Sequence, residues 1–380
     1  MINLRKSISH QSLVINHYTI MNETTTPTQA AVQLLQELIS TQSFSREEEK
    51  TADIIANYLK KEGKEVQRFK NNVWVRSQDF RDERPTLLLN SHHDTVKPGE
   101  SWTRDPFEAT IETVDGEETL FGLGSNDAGG CLVALLHAFL HMDTVADRGY
   151  NLVFAASAEE EISGENGIAA LLPQLGNIDV GIVGEPTRMR MAVAEKGLLV
   201  LDCIAHGVSG HAARHEGVNA IYEALQDIRW IKNFRFSNKS QLLGETTATV
   251  TQINAGIQHN IVPDKCTFVV DVRTNEMYTN EQVLEIFQHN LLSEIKPRSL
   301  RLQSSSLSQD HPLVKRGIEL GWEYYGSPTL SDQALCREFP TLKLGPGSSG
   351  RSHTADEYIR TSEIEEGIEK YIQLLTGLSL

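Results

Sequence analysis

The 380-residue sequence has only four cysteines, Cys131, Cys203, Cys266 and Cys336, with no CxxC pair among them. Scattered thiols of this kind exclude a disulfide-stapled fold and a thiolate zinc knuckle, and they fit a reducing cytoplasm. Cationic residues are also scarce: 35 Lys and Arg against 51 Asp and Glu leave a net charge of −16. A surface of that sign argues against nucleic acid or an anionic membrane as partner, though not against divalent cations. Long apolar runs are missing too, and no window reaches the roughly 18 residues that a membrane span needs. The first twenty residues contain no acid, and their apolar run is too broken for a signal peptide. Residues 1–24 are read as a disordered or non-native extension.

What is present suffices for two cores, with 39% hydrophobic and 23% charged residues. Apolar residues recur at helical spacing from Thr28 to Ile39 (Val32, Leu34, Leu35, Leu38, Ile39), predicting a helix. A second helix is expected next, with Ser45 and Glu48 placed as a capping box and Gly63 as its stop. Beyond it, apolar strands alternate with helical patterns: "TLLLN" (86–90), "NLVFAAS" (151–157) and "IDVGIVG" (178–184) flank the helical "GGCLVALLHAFLHM". Such alternation predicts an α/β domain, its mostly parallel sheet flanked by helices. After Thr187 the order becomes β-α-β-β-α-β, ending on a strand at "RSLRLQSSS" (298–306), which predicts a ferredoxin-like insertion. The expected organisation is a catalytic domain from 25–187 and 306–380, interrupted by 188–305.

Ligands bind at the carboxyl ends of strands in open α/β sheets. Here "TLLLN" runs into "SHHDTVKP", "LFGLG" into "SNDAGG", "NLVFAAS" into "AEEE", "IDVGIVG" into "EPT" and "TLKLG" into "PGSSGRSHTADE". Five predicted strand ends thus deliver His92, Asp94, Asp127, Glu160, Glu161, Glu185 and His353 to one edge. Side chains alternate along a strand, so His92 and Asp94 share a face and His93 points away, which leaves His93 a structural role. Asp94 is then placed to accept from the far ring nitrogen of His92, a usual support for a metal-bound imidazole. Four clustered carboxylates repel one another unless cations balance them. Imidazole and carboxylate without thiolate suit zinc, with cobalt or manganese as substitutes.

Seven segments in order, "SHHDTVKP", "GSNDAGG", "SAEEEISGENG", "GEPT", "GVSGHAARHEGVNA", "NIVPDKCTFVVDVR" and "GPGSSGRSHTADEYI", resemble the motifs of the M20 metallopeptidase family. The similarity covers about residues 28 to 375. It implies two divalent metal ions per chain, held by His92, Asp127, Glu161, Glu185 and His353, with Asp127 shared between them. Asp94 would support His92, Glu160 would be the catalytic base, and Glu159 would stand behind them. His211, of "GHAAR" in the insertion, would meet oxyanion charge from the partner subunit of a homodimer formed through that insertion, a lid and dimerisation domain. Asn260 and Arg273 would contact the substrate carboxylate, and Arg351 is another candidate for binding an anion on the substrate. Ser91 departs from the glycine that many relatives carry but touches no ligand.

"GSPTLSDQAL" together with "GPGSSGRSHTADEYI" is most similar to acetylornithine deacetylase-type members of the family. That resemblance implies hydrolysis of an N-acyl amino acid, N-acetylornithine first, a step of arginine biosynthesis. The alternatives are an N-succinyl amino acid desuccinylase (succinylornithine, succinylcitrulline or succinyl-diaminopimelate), an N-acetylcitrulline deacylase, a dipeptidase or carboxypeptidase, and an aminoacylase. A non-catalytic metal-binding relative is a further class. Its mark would be a replaced base or ligand, and no expected position is replaced.

Overall fold

The structure, a computed structural model, describes residues 26–214 and 216–380, so the extension read at 1–24 lies outside the described residues. Helix α1 (Pro27–Ile39) begins where Thr26 and Gln29 form a reciprocal capping box, and it buries Ala31, Val32, Leu34, Leu35, Leu38 and Ile39. Helix α2 (Glu49–Lys61) follows, and the chain leaves it through Gly63 at φ +74°, a left-handed turn that suits glycine. The expected Ser45/Glu48 box does not form: among the described residues no side chain caps α2. Both residues face inward, toward the region described below.

The main sheet runs in the order β1 (Gln67–Phe69), β2 (Asn72–Arg76), β6 (Asn151–Ser157), β3 (Thr86–His92), β7 (Val180–Val183), the strand Thr341–Lys343, β8 (Met191–Glu195) and the short strand Ser305–Ser306; Tyr324–Ser327 also pairs with β8. Its centre, from β6 through β3 and β7 to 341–343, is parallel. Antiparallel pairings, β2 on β6 and 305–306 on β8, occur toward the two edges. Every residue of β3 and β6 is buried, as expected for strands covered on both faces. Helices α1, α2 and α3 (Gly130–Asp143), with the C-terminal helix Thr361–Leu375, share one core cluster, while Ile168, Leu171 and Leu175 cover Leu88, Val153 and Ala155 in another. Each fully buried Leu or Ile adds roughly 1.5–3 kcal/mol to this packing.

Three expectations are corrected. The "LFGLG" strand is not in the main sheet. Only its Leu120 and Phe121 are strand, the end of β5 (Glu117–Phe121), which pairs with β4 (Thr110–Val114) and with Tyr358–Arg360 in a separate three-stranded antiparallel sheet. Asp127 therefore follows a strand of this smaller sheet rather than a strand of the main one. Met191–Glu195, inside the segment read as inserted, is fully buried main-sheet strand β8. And the last strand of the insertion is Glu294–Pro297, not 298–306, whose end pairs back onto β8. The residues between carry the β-α-β-β-α-β order, as a four-stranded antiparallel sheet of Thr247–Ala255, Lys265–Thr274, β9 (Gly197–His206) and Glu294–Pro297. Its helices, Ala220–Asn233 and Asn280–Asn290, bury a core of their own around Leu201, Phe268 and Phe287.

Candidate active site

Strand β3 delivers His92 to the end of the central sheet, where it is 1% exposed. Its Nδ1 lies 3.0 Å from the main-chain oxygen of Asp94 and 3.4 Å from Asp94 Oδ1. Both are acceptors, which assigns the proton to Nδ1 and leaves the lone pair of the neutral ring on Nε2. Nε2 is buried without a hydrogen-bond partner among the described residues, yet Asp127 Oδ1, Glu185 Oε1 and Glu160 Oε2 surround it at 3.4, 3.8 and 4.0 Å.

Asp127 projects from the turn Ser125–Gly129, and Glu357 holds that turn. One carboxylate oxygen of Glu357 accepts from the main-chain N–H groups of Asn126 and Asp127, both at 2.8 Å, and the other from Gly124 N at 3.2 Å. The second oxygen of Asp127 lies 3.6 Å from His353 Nε2, which in turn is 2.9 Å from Glu161 Oε2. Two three-residue groups thus share Asp127: His92, Asp127 and Glu185 on one side, and Asp127, Glu161 and His353 on the other, the offered atoms of each lying within 4.8 Å of one another.

The three successive glutamates divide their work. Glu159, left-handed at φ +55° and buried, turns back to accept from Asn166 N and Nδ2 at 3.2 and 2.8 Å, closing its own loop. Glu160 and Glu161 face the cluster, and their main-chain N–H groups donate to the two oxygens of Asp94 at 3.0 and 3.2 Å. Ser45 Oγ also donates to Asp94, at 2.7 Å. Glu48 is buried beneath, accepting from Arg46 N, Asn71 Nδ2 and Glu159 N. The pair read as a helix cap thus anchors the acidic loop.

The electrostatics show what the cluster lacks. Burial pushes the Glu160 carboxyl well above its ordinary value, with Glu185, Asp332 and Glu161 adding to the effect and His92 opposing it. Burial and Asp127 push Glu185 up to about 8. Burial alone would lower His92, but the neighbouring Asp127 and Asp94 carboxylates outweigh it and hold the imidazole well above its usual range. His353 is raised to about 9 by its hydrogen bond to Glu161. These four shifts move toward binding a proton, the response of groups in a site with too little positive charge. Asp127 and Asp94, beside His92, are despite burial held below the ordinary carboxylate value by that imidazole.

The other expected residues lie elsewhere. His93 is turned away, its two ring nitrogens 2.9 Å from Thr51 Oγ1 and 3.0 Å from Asn71 O, in keeping with a structural role. His211 is exposed in the short strand Gly210–His211, which pairs with Ile261–Val262, and it belongs to neither group. Asn260 is exposed beside it, its main-chain oxygen accepting from Ala212 N. The Arg273 guanidinium is paired with Asp271 at 2.8 and 3.1 Å. Arg351 is engaged by both oxygens of Glu363 and by the Tyr358 ring 4.7 Å away, so its fork is already filled. Missing from the sequence reading were Glu357, four residues past His353 in a motif already singled out, and the buried Lys343, at the end of "TLK".

A cleft of about 240 Å³ opens over Asp127, Glu160, Glu161, Glu185 and His353. An arrangement of imidazoles and carboxylates around a shared aspartate, open on one side, can hold metal and present it to a bound amide. Residues 88–377 match the model of peptidase family M20/M25/M40, and the chain belongs to that family, whose members are hydrolases of amide bonds. The acetylornithine deacetylase of Proteus mirabilis is 29% identical over 92% of this chain and 97% of its own. The aminopeptidase PepT of Bacillus cereus superposes with a TM-score of 0.75 at 18% identity, over 92% of this chain and 98% of its own. The YXEP protein of Bacillus subtilis, described as a dinuclear metal binding peptidase, gives 0.70 at 16% identity over 92% and 97%. These two likenesses concern the fold. Among the described residues, no helix is long and apolar enough to cross a membrane.

Proposed function

We propose that the chain is a two-metal amide hydrolase that removes the acyl group from an N-acyl amino acid, N-acetylornithine first. The observation that carries the metal reading is the buried, unpartnered Nε2 of His92, surrounded by three carboxylates one of which, Asp127, is shared with the Glu161–His353 group. His92, Asp127 and Glu185 would hold one divalent ion and Asp127, Glu161 and His353 the other, zinc first, with cobalt or manganese as substitutes. Such ions, when bound, polarise a carbonyl and lower the pKa of water.

The remaining steps belong to the chain's own residues. Asp94 fixes the His92 tautomer and, through the N–H groups of Glu160 and Glu161, sets the loop that presents both. Glu160, which among the described residues has no arginine or lysine partner, takes a proton from the attacking water and returns it to the leaving amine. His211 is outside the cluster, so its role at the oxyanion requires a second copy of the chain: a homodimer through the inserted domain in which each His211 serves the partner's site. Asn260, beside the strand that carries His211, would approach the substrate from the same side, and Arg273, at the far end of Lys265–Thr274 opposite Leu198, would be a separate carboxylate contact. Arg351 is not proposed as a substrate contact.

The Proteus mirabilis relative, matched almost end to end, supports the deacetylase reading. The peptidase fold neighbours favour a dipeptidase as the second reading. Hydrolysis of N-acetyl-L-ornithine, N-acetyl-L-citrulline, N-succinyl-L-ornithine and two dipeptides, with zinc, cobalt or manganese supplied, separates them. Turnover of dipeptides alone would replace the first reading by the second. No turnover on any member, with metal bound, would favour a binding protein.

A further inference from the structure

The cleft over the acidic cluster also contains Tyr325, Ser327, Thr329 and Lys343, residues that the proposed reaction has not used. Lys343 is 2% exposed and ends the strand Thr341–Lys343, next to β7, whose continuation carries Glu185. Its ammonium lies 3.0 Å from Glu195 Oε2 and donates to Thr329 O and Thr329 Oγ1 at 2.9 and 3.1 Å. Burial alone would lower its pKa, but Glu195 and Glu185 outweigh burial and keep the group charged.

An ammonium can only donate. Thr329 Oγ1 therefore accepts from Lys343, and its own proton must go elsewhere. Ser327 Oγ lies 3.0 Å from Thr329 Oγ1, and a bond between the two hydroxyls consumes one of their two protons. Among the described residues the other has only Thr329 O, 3.4 Å from Ser327 Oγ, or the cleft as an outlet. Tyr325 keeps its proton as well, because burial raises its phenol despite Lys343 and Arg190 nearby. This part of the cleft thus offers hydroxyl donors, oriented by the ammonium of the buried Lys343–Glu195 pair, beside a cluster made of acceptors. A methyl or alkyl group gains nothing there, whereas an anionic acceptor does.

We infer that this hydroxyl wall binds a carboxylate of the substrate, with Lys343 setting the direction of the Thr329 and Ser327 donors. The inference rests on reading the cleft as an amide-hydrolysing site. Thr329 and Ser327 are specificity-determining contacts, and Lys343 is a positioning residue that acts through them. The carboxylate is either the α-carboxylate of the amino acid or the distal carboxylate of a dicarboxylic acyl group.

Three substrates distinguish the sources: N-acetyl-L-ornithine, its carboxylate-free analogue N-acetylputrescine, and N-succinyl-L-ornithine. In the metal-loaded full chain, Thr329→Val is expected to raise KM about tenfold for the carboxylate compounds, leaving kcat and metal content within about twofold. N-acetylputrescine should be unaffected. Loss for both ornithine compounds identifies the α-carboxylate, and loss for the succinyl compound alone identifies the acyl arm. Lys343→Met should reproduce the pattern. If it fails to fold, Lys343→Met with Glu195→Gln removes the buried charge from both partners, and Thr329→Val stands as the independent variant. Folded, metal-loaded variants with unchanged selectivity between these compounds would overturn the inference. If the wild-type chain hydrolyses none of them, the amide reading falls separately, and calorimetric binding of the same three compounds decides this one by the same criterion.

Discussion

The three glutamates at 159–161 show how adjacent identical residues take different parts. Glu160→Gln keeps shape and removes the base, so turnover should fall by at least ~10² with metal content nearly unchanged. Glu161→Gln takes a charged oxygen from the group containing His353, and metal analysis should show a loss of bound ion. Glu159→Gln should leave both intact and cost about 1 kcal/mol of stability, read from a denaturant melt, because only the Asn166 bonds weaken. If Glu159→Gln lost metal and Glu161→Gln kept it, the assignment within the triplet would be wrong. The sequence singled out His92, Asp127, Glu161, Glu185 and His353 because they come shortly after apolar strand-like segments, and the structure brings their side chains into two groups sharing Asp127. What the sequence could not separate was a helix cap from a buried anchor: Ser45 and Glu48 have the residue types and spacing of a capping box, and only tertiary contacts turn them toward Asp94 and Glu159.

Among the elements, the turn carrying Asp127 depends on one carboxylate from the far end of the chain. Glu357→Ala removes the acceptor for three main-chain N–H groups, two of them buried with it. Both proposed metal positions use Asp127, so both should weaken together, visible as a parallel fall in the two bound equivalents with circular dichroism preserved. Loss of one equivalent alone would contradict the shared-ligand geometry. Buried charges such as Glu357 and Lys343 escape a sequence reading because no period marks them. The strands show the same limit. Long apolar β3 and β6 were legible, but Glu294–Pro297 is short and polar, and its place was given to the following segment. The β5 strand reads like any other, and nothing local says that it pairs with β4 and 358–360 rather than with the main sheet. The Lys343–Glu195 pair, 3% and 0% exposed, ties strand 341–343 to β8. Removing Lys343 alone should cost roughly 3–5 kcal/mol, and removing both charges much less.

For the molecule as a whole, the cations should be part of its stability. Chelation should lower the melting temperature as well as abolish turnover, each site losing about 2.7 kcal/mol relative to metal at a hundredfold excess over Kd. A melting curve indifferent to chelator would count against two bound ions. The proposed dimer has its own test. Mixing His211→Ala with Glu160→Ala under subunit exchange should restore roughly a quarter of normal activity, since half the dimers would hold one complete site. Verified exchange without recovery would dismiss a trans role for His211.

The chain leaves the main sheet after Glu195 and comes back at Ser305, and these two residues face each other in one ladder. Opposed residues of an antiparallel pair stand only about 4.5–5.5 Å apart. A stretch of about a hundred residues is therefore attached like a bracket with both feet on the same spot, and its removal leaves a gap that two or three glycines can bridge. Ancestrally, such an appendage can be gained or exchanged without redrawing the scaffold that receives it. In the laboratory, joining Lys196 to Ser304 by a short glycine linker should give a compact remnant that keeps both three-residue groups around Asp127 while losing His211.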